Sequence, residues 1–194
     1  MIKIDKNFAV SEEFFNKTLT NKTRIILTDT GRLEFNHHIN SFKILKRIPH
    51  FTIDRSGKIC EHYNINYFSD YYSDFNDLNK ESIIISLMNA SSLRPKTDIG
   101  FINWAGDVVD ENEVCEFKWK NYRYWHKYPV KQIKAVNKLI LHLCDLIPVI
   151  KPTNIFGNGI YDPRAIYYNG VISESNIFDT SHSINPNFDW NLIN

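Results

Sequence analysis

Apolar and polar positions form their clearest pattern between His50 and Asn89, and two segments there behave differently. In the first, His50, Thr52 and Asp54 alternate with Phe51, Ile53 and Arg55, the period of a strand with two unlike faces. Ser56-Gly57 supplies a turn, because Gly57 can take a positive φ, and Lys58 to Tyr63 runs back as the second arm of a hairpin. In the second, Ser82 to Asn89 is an almost unbroken apolar run, mostly β-branched, the signature of a strand covered on both faces. Ile85 and Leu87 should face one side of it, Ile84 and Ser86 the other. A half-polar hairpin beside a buried strand predicts the centre of a mixed sheet with helices packed on it.

The flanking pattern fills in the rest. Ser11 is placed to cap a short helix running to Leu19, with Glu12 and Glu13 in its first turn. Arg24 to Leu27 reads as a short buried strand. Phe35, Ile39, Phe42 and Leu45 recur at spacings of three and four, so 36–46 reads as a helix. Pro129 to Pro148 is the clearest helix, with Ile133, Val136, Ile140, Leu143, Cys144 and Ile147 on one stripe. Asn154 to Ile160 suggests one more strand. Tyr63 to Asn79 reads as a long surface loop, and Arg94 to Tyr128 as irregular, with little regular pattern after Ile160. The expected architecture is α/β, a central mixed sheet of five or six strands flanked by helices. With no internal repeat and no low-complexity linker, residues 1–194 read as a single domain.

Composition narrows the function classes. The chain is 43% hydrophobic and 14% aromatic, which is globular rather than disordered. Its 23 basic and 22 acidic residues leave a net charge of +1 with no basic stripe, so a nucleic-acid partner has no electrostatic support. No apolar run reaches the length of a membrane-spanning helix, and the N-terminus lacks the apolar core of a signal peptide. The expected location is therefore cytoplasmic or virion-associated, without membrane insertion. Cys60, Cys115 and Cys144 are scattered and odd in number, so reduced thiols are expected.

Several stretches, in order, resemble one family. HFTIDRSGKI (His50 to Ile59) is similar to the "YHFVIDRDGTI" hairpin of the zinc-dependent N-acetylmuramoyl-L-alanine amidases, the family that includes the peptidoglycan recognition proteins. SIIISLMN (Ser82 to Asn89) resembles that family's "SIGIELVN" strand, and RIILTDTG (Arg24 to Gly31) its "IVLHHTG". WKNYRYWHKYPVKQIKAVNKLILHLC (Trp119 to Cys144) resembles an aromatic loop leading into the family's main helix. YNINYFSDYY (Tyr63 to Tyr72), GVISESN (Gly170 to Asn176) and SHSINPNFDW (Ser181 to Trp190) continue the likeness. The resemblance implies the amidase fold and a ligand drawn from peptidoglycan.

The departures fall on the chemistry. The family holds zinc with two histidines and an acidic residue, and a strand glutamate commonly serves as general base. Carried over position by position, the first histidine falls on Thr28, the second on Glu174 and the acidic ligand on Ile184. The strand glutamate falls on Ser86, and a lysine near the third ligand falls on His182 or Ser183. A hydroxyl, one carboxylate and an aliphatic chain do not make the nitrogen-rich tetrahedral site that zinc prefers. Ser86 has no carboxylate to act as base near neutral pH. The resemblance thus implies a degenerate, catalytically inactive member with no cofactor, binding a peptidoglycan fragment or a protein partner. Two alternatives stay open: an active amidase with a rearranged zinc site, and a structural component of a phage or secretion assembly.

Other candidates are weighed against structural readings. His37 and His38 are neighbours, so on a helix their side chains diverge by about 100° and one of them can face the cleft. His50 opens a central strand, where a packed, hydrogen-bonded histidine is the usual case. Asp29, Glu174 and His182 could form an oxygen-rich site near the old one. Cys60 with His62 reads as coincidence. Trp119, Tyr122, Tyr124, Trp125 and Tyr128 are either the lid of the core over the long helix or a sticky binding surface. The cleft candidates are therefore Asp29, His37, His50, Trp125 and His182.

Overall fold

A computed structural model describes residues 2–34, 44, 47–153, 155–156 and 159–193. Its centre is the buried apolar run. Strand β5 (Ser82–Leu87) lies between β2 (Arg24–Asp29) and β3 (Phe51–Ile53), parallel to both. The hairpin pairs β3 antiparallel with β4 (Ile59–Glu61), turning at Gly57, whose φ is +87°. β12 (Gly170–Ser173) runs parallel to the far side of β2. Two two-residue strands, β1 (Ile4–Asp5) and β11 (Ile155–Phe156), complete a seven-stranded sheet in the order β1-β4-β3-β5-β2-β12-β11. The sequence led to five or six strands; the extra ones at the two edges are too short to carry a period.

The two faces of the sheet divide the core. Ile25, Leu27, Ile53, Ile83, Ile85, Leu87 and Val171 point to one side, where they meet helix α2 (Val130–Leu146) through Ile133, Val136, Leu139, Ile140 and Leu143. Gln132 is buried on this helix, and its Nε2 donates to the carbonyls of Ile53 at 3.0 Å and Met88 at 3.1 Å, which ties the helix to two strand ends. Ile26, Ile84 and Ile172 point to the other side, against Ile48, Tyr63, Tyr71, Tyr72 and Leu78. Ile85 and Leu87 thus oppose Ile84 as the alternation predicts.

Three expectations are corrected. The helix from Ser11 to Leu19 is only a single 3-10 turn, Glu12–Phe14, because Asn16 leaves it to pair with Phe68 (Asn16 N to Phe68 O, 2.7 Å). Tyr63 to Asn79 is not a surface loop: it carries the second core face and ends in helix α1 (Asn76–Glu81). Its tyrosines bring large apolar rings whose hydroxyls make the segment look polar. Arg94 to Tyr128 is not irregular but carries a five-stranded antiparallel sheet. Its strands are β6 (Ser92–Lys96), β7 (Gly100–Ile102), β8 (Val108–Val109), β9 (Val114–Trp119) and β10 (Tyr122–His126), in the order β8-β7-β6-β10-β9. Turns at Asp98 and Lys120, both at positive φ without being glycine, join its hairpins. The 36–46 helix expectation, with His37 and His38, lies outside the described residues, apart from Ile44.

The second sheet is anchored at one joint. Asn89 Nδ2 donates to the carbonyls of His126 (3.2 Å) and Lys127 (3.3 Å), and His126 Nδ1 accepts from Ala90 N at 3.1 Å. Arg55 Nη2 reaches Glu113 at 2.7 Å from the hairpin of the main sheet. Among the described residues no helix is long and apolar enough to cross a membrane.

Candidate functional site

Parallel strands place their carboxyl ends side by side, and here three of them converge. Thr28 near the end of β2 stands in register with Ser86 of β5, while Ser173 ends β12 opposite Leu27 and hands the chain to α3 (Glu174–Ile177). Glu174 therefore comes down beside Thr28, whose hydroxyl donates to Glu174 Oε2 and lies 3.2 Å from Ser183 Oγ. On the opposite side of β2, Asp29 Oδ2 accepts from the Tyr128 hydroxyl at 3.2 Å and from Ile184 N at 3.3 Å. Thr28, Glu174 and the Ile184 backbone are thus gathered around one strand end.

Burial sets the electrostatics. Desolvation, followed by the nearby charge of Glu174, pushes Asp29 up to about 7 despite its hydrogen bonds from Tyr128, Ile184 and Gly31. Glu174 is also raised by burial, against the pull of hydrogen bonds from Thr28, Ser183 and Ser181 and of the Arg47 charge. The Tyr71 hydroxyl, beside Thr28 and Ser86, is held well above its ordinary range by the same burial. Ile184 is fully buried at φ 55°, a left-handed conformation that a β-branched residue adopts only when its surroundings enforce it.

The donor set does not fit zinc. Thr28 offers a neutral hydroxyl already committed to Glu174, Glu174 a single carboxyl already accepting from Thr28, and Ile184 no donor atom in its side chain. Among the described residues no three His, Cys, Asp or Glu side chains gather as ligands, so the Asp29, Glu174 and His182 grouping does not close. The His182 ring turns instead onto Tyr122, edge to face at 4.7 Å.

Other expected site residues are placed elsewhere. His50 is buried, its Nδ1 accepting from Ile84 N at 3.1 Å and its Nε2 donating to Tyr67 O at 3.1 Å, so it pins β3 to its neighbours. Trp125 is also fully buried rather than in a cleft, with Nε1 donating to Phe117 O at 2.8 Å. Its ring packs on Trp119, which makes it a core piece of the second sheet. Cys60 is buried with its thiol pushed up to about 11, and His62 is hydrogen-bonded to Thr52 and Phe8, so the two form no nucleophile pair.

Glu174 opens onto a cleft of about 410 Å³ walled by Arg47, Tyr71, Tyr72, Phe75 and Phe178. The tip of the β9–β10 hairpin closes over the adjoining loop, where Lys120 Nζ donates to the carbonyls of Asp179 and Ser181, each at 2.5 Å. Sequence reading missed Arg47, Tyr71 and Tyr72 because they sit in stretches without a period, and Lys120 because it lies in a turn.

No known protein-family profile matches the chain, and no curated protein matches it. Solved structures do. N-acetylmuramoyl-L-alanine amidase LysC from Clostridium intestinale URNW superposes with a TM-score of 0.56 at 12% identity, over 100% of this chain and 95% of that one. The Ph2119 endolysin from Thermus scotoductus MAT2119 bacteriophage Ph2119 gives a TM-score of 0.56 at 11% identity, over 98% and 96%. AmpD gives 0.52 at 14%, over 99% and 97%. At such identities the likeness is one of fold, and the chain carries the mixed α/β fold shared by these amidases and endolysins.

Proposed function

We propose that this chain is a non-catalytic relative of the amidases that works by binding, with a peptidoglycan fragment held in the Glu174 cleft. The observation that carries the reading is the Thr28–Glu174 hydrogen bond: at the strand end where the amidase resemblance puts two histidine ligands, a hydroxyl and a buried carboxyl satisfy each other. Hydrolysis of an unstrained amide at neutral pH needs an activated water and a positive charge for the oxyanion. Thr28, Ser86, Glu174 and Ile184 bring no positive charge for the oxyanion, and the Glu174 carboxyl is already engaged by the Thr28 hydroxyl. Glu174 instead lines a binding cleft, with the Tyr71, Tyr72, Phe75 and Phe178 rings as its walls.

The test is incubation of purified full-length protein with purified sacculi, with and without added zinc. Chromatography follows released peptides, and sedimentation follows bound protein. The expected result is co-sedimentation with no release. Zinc-dependent release that Glu174→Ala abolishes would establish an active amidase with a rearranged metal site. Failure to sediment with sacculi would move the ligand to a protein partner, as in a phage or secretion assembly.

A further inference from the structure

The Glu174 cleft holds two polar groups that nothing in the protein satisfies. The Tyr72 hydroxyl is buried, its residue 8% exposed, and has no hydrogen-bond partner. Arg47 enters no ion pair or hydrogen bond among the described residues. Both line the same cleft. A buried hydroxyl left unpaired is destabilising, so its retention points to a partner that arrives from outside.

We propose that Arg47 and Tyr72 form an anchoring subsite for a carboxylate, the chain-terminal carboxylate of a short acylated peptide. Arg47 pairs with one oxygen and the Tyr72 hydroxyl donates to the other. Two donor groups match the two oxygens of a carboxylate, whereas a phosphate, with a third oxygen and more charge, would leave part of itself unmet. The walls suit the rest of such a ligand. Phe178 lies 5.2 Å from the Tyr72 ring and 5.1 Å from the Phe75 ring, giving an apolar surface for a small side chain. Ser73, Thr180 and Ser181 at the lining offer hydroxyls and backbone groups to a peptide amide. Two carboxyl groups share the cleft. Glu174 is engaged by the Thr28 hydroxyl, and Asp74 stands at the exposed rim, in no ion pair among the described residues. The inference rests on the cleft being a binding site and adds which chemical group it holds.

The test titrates isotope-labelled full-length protein with N-acetyl-D-alanine and with its amide, at constant ionic strength, following backbone amide shifts. The acid should move the Ser73, Glu174 and Ser181 signals saturably, and the amide should bind at least about tenfold more weakly, as loss of one charge-assisted contact implies. Arg47→Met should weaken the acid by about tenfold or more and leave the amide unchanged. Tyr72→Phe keeps the ring and should weaken the acid by a smaller factor. Equal binding of acid and amide, undiminished affinity in Arg47→Met, no saturable shift in the cleft, or equal binding of inorganic phosphate would each overturn the proposal. The sacculus assay fails separately. Cleavage of sacculi removes the non-catalytic reading and leaves the anchor as a substrate subsite. Sedimentation with sacculi alongside an unaffected Arg47→Met removes only the anchor.

Discussion

Asp29 is the residue whose environment departs furthest from what its letter suggests. It sits beside Thr28 on β2, yet faces the opposite side and accepts from Tyr128 and Ile184. Its carboxyl is raised from 3.8 to about 7 by burial and by Glu174. A carboxyl that binds its proton more tightly in the folded state contributes stability below its unfolded value and loses it as pH rises towards the folded one. Asp29 should therefore make the protein less stable between about pH 4 and pH 7 as pH rises. Asp29→Asn keeps an acceptor for Tyr128 and Ile184 and should flatten that slope in denaturant titrations run across the window. An unchanged slope would mean that Asp29 does not titrate there. Lys22 works with the opposite sense. Burial lowers its amine to about 7, and Nζ donates to Lys80 O at 2.7 Å. The unfolded chain holds the extra proton between about pH 7 and pH 10.5, so stability from this group rises with pH in that window, and Lys22→Met should abolish the rise. Neither degree of burial is legible in the sequence, where Asp29 is a cleft candidate and Lys22 belongs to no pattern; their partners lie 58 to 155 positions away along the chain.

At the scale of the element, legibility follows periodicity. β5 and α2 were readable because each buries a continuous face, and their alternations survive in the core. The second sheet was not, because its strands are short, half-exposed and rich in tyrosine and charge, so no two-residue period stands out over Arg94 to Tyr128. The positions around the candidate site were readable only through resemblance, since Thr28, Glu174 and Ile184 come from three separate segments that no local pattern connects. Two predictions belong here. Ile85→Ala empties a fully buried site on the central strand and should cost about 2–5 kcal/mol in denaturant titration. A loss below about 1 kcal/mol would mean β5 is not the strand the fold depends on. Gln132→Leu conserves bulk on α2 but strips the Nε2 donor from the carbonyl of Met88, while the Ile53 carbonyl keeps its bond from Met88 N. It should cost about 1–3 kcal/mol, the penalty of leaving a buried acceptor unpaired.

Over the whole molecule, the two sheets differ in how much holds them. The seven-stranded sheet is packed on both faces by the two main hydrophobic clusters, whereas Ala90, Leu93 and Val109 are the buried members of the cluster under the second. The second sheet therefore depends on its joint to β5, made by Asn89, Ala90, Ser91 and His126, and by Arg55 with Glu113. His126 is fully buried and lowered from 6.5 to about 4, first by desolvation and then by Arg55, so it holds the joint as a neutral ring accepting from Ala90 N. The unfolded histidine binds its proton from about pH 6.5 downward while the folded one resists until about pH 4, so stability drains from the joint as pH falls through that range. Elements with few buried contacts open before the rest of a fold. Burial also lowers His50 and His62 on the main sheet, so acid draws stability from both sheets, and amide exchange, corrected for intrinsic rates, should show β6 to β10 losing protection before β2 and β5 as pH falls from 6.5 towards 4. Asn89→Ala, which removes the amide donating to His126 O and Lys127 O, should produce the same selective loss at neutral pH. If both sheets lost protection together in acid, or if Asn89→Ala weakened β2 and β5 as much as β6 and β10, the two sheets would open as one unit and the joint would not be the weak point of the molecule.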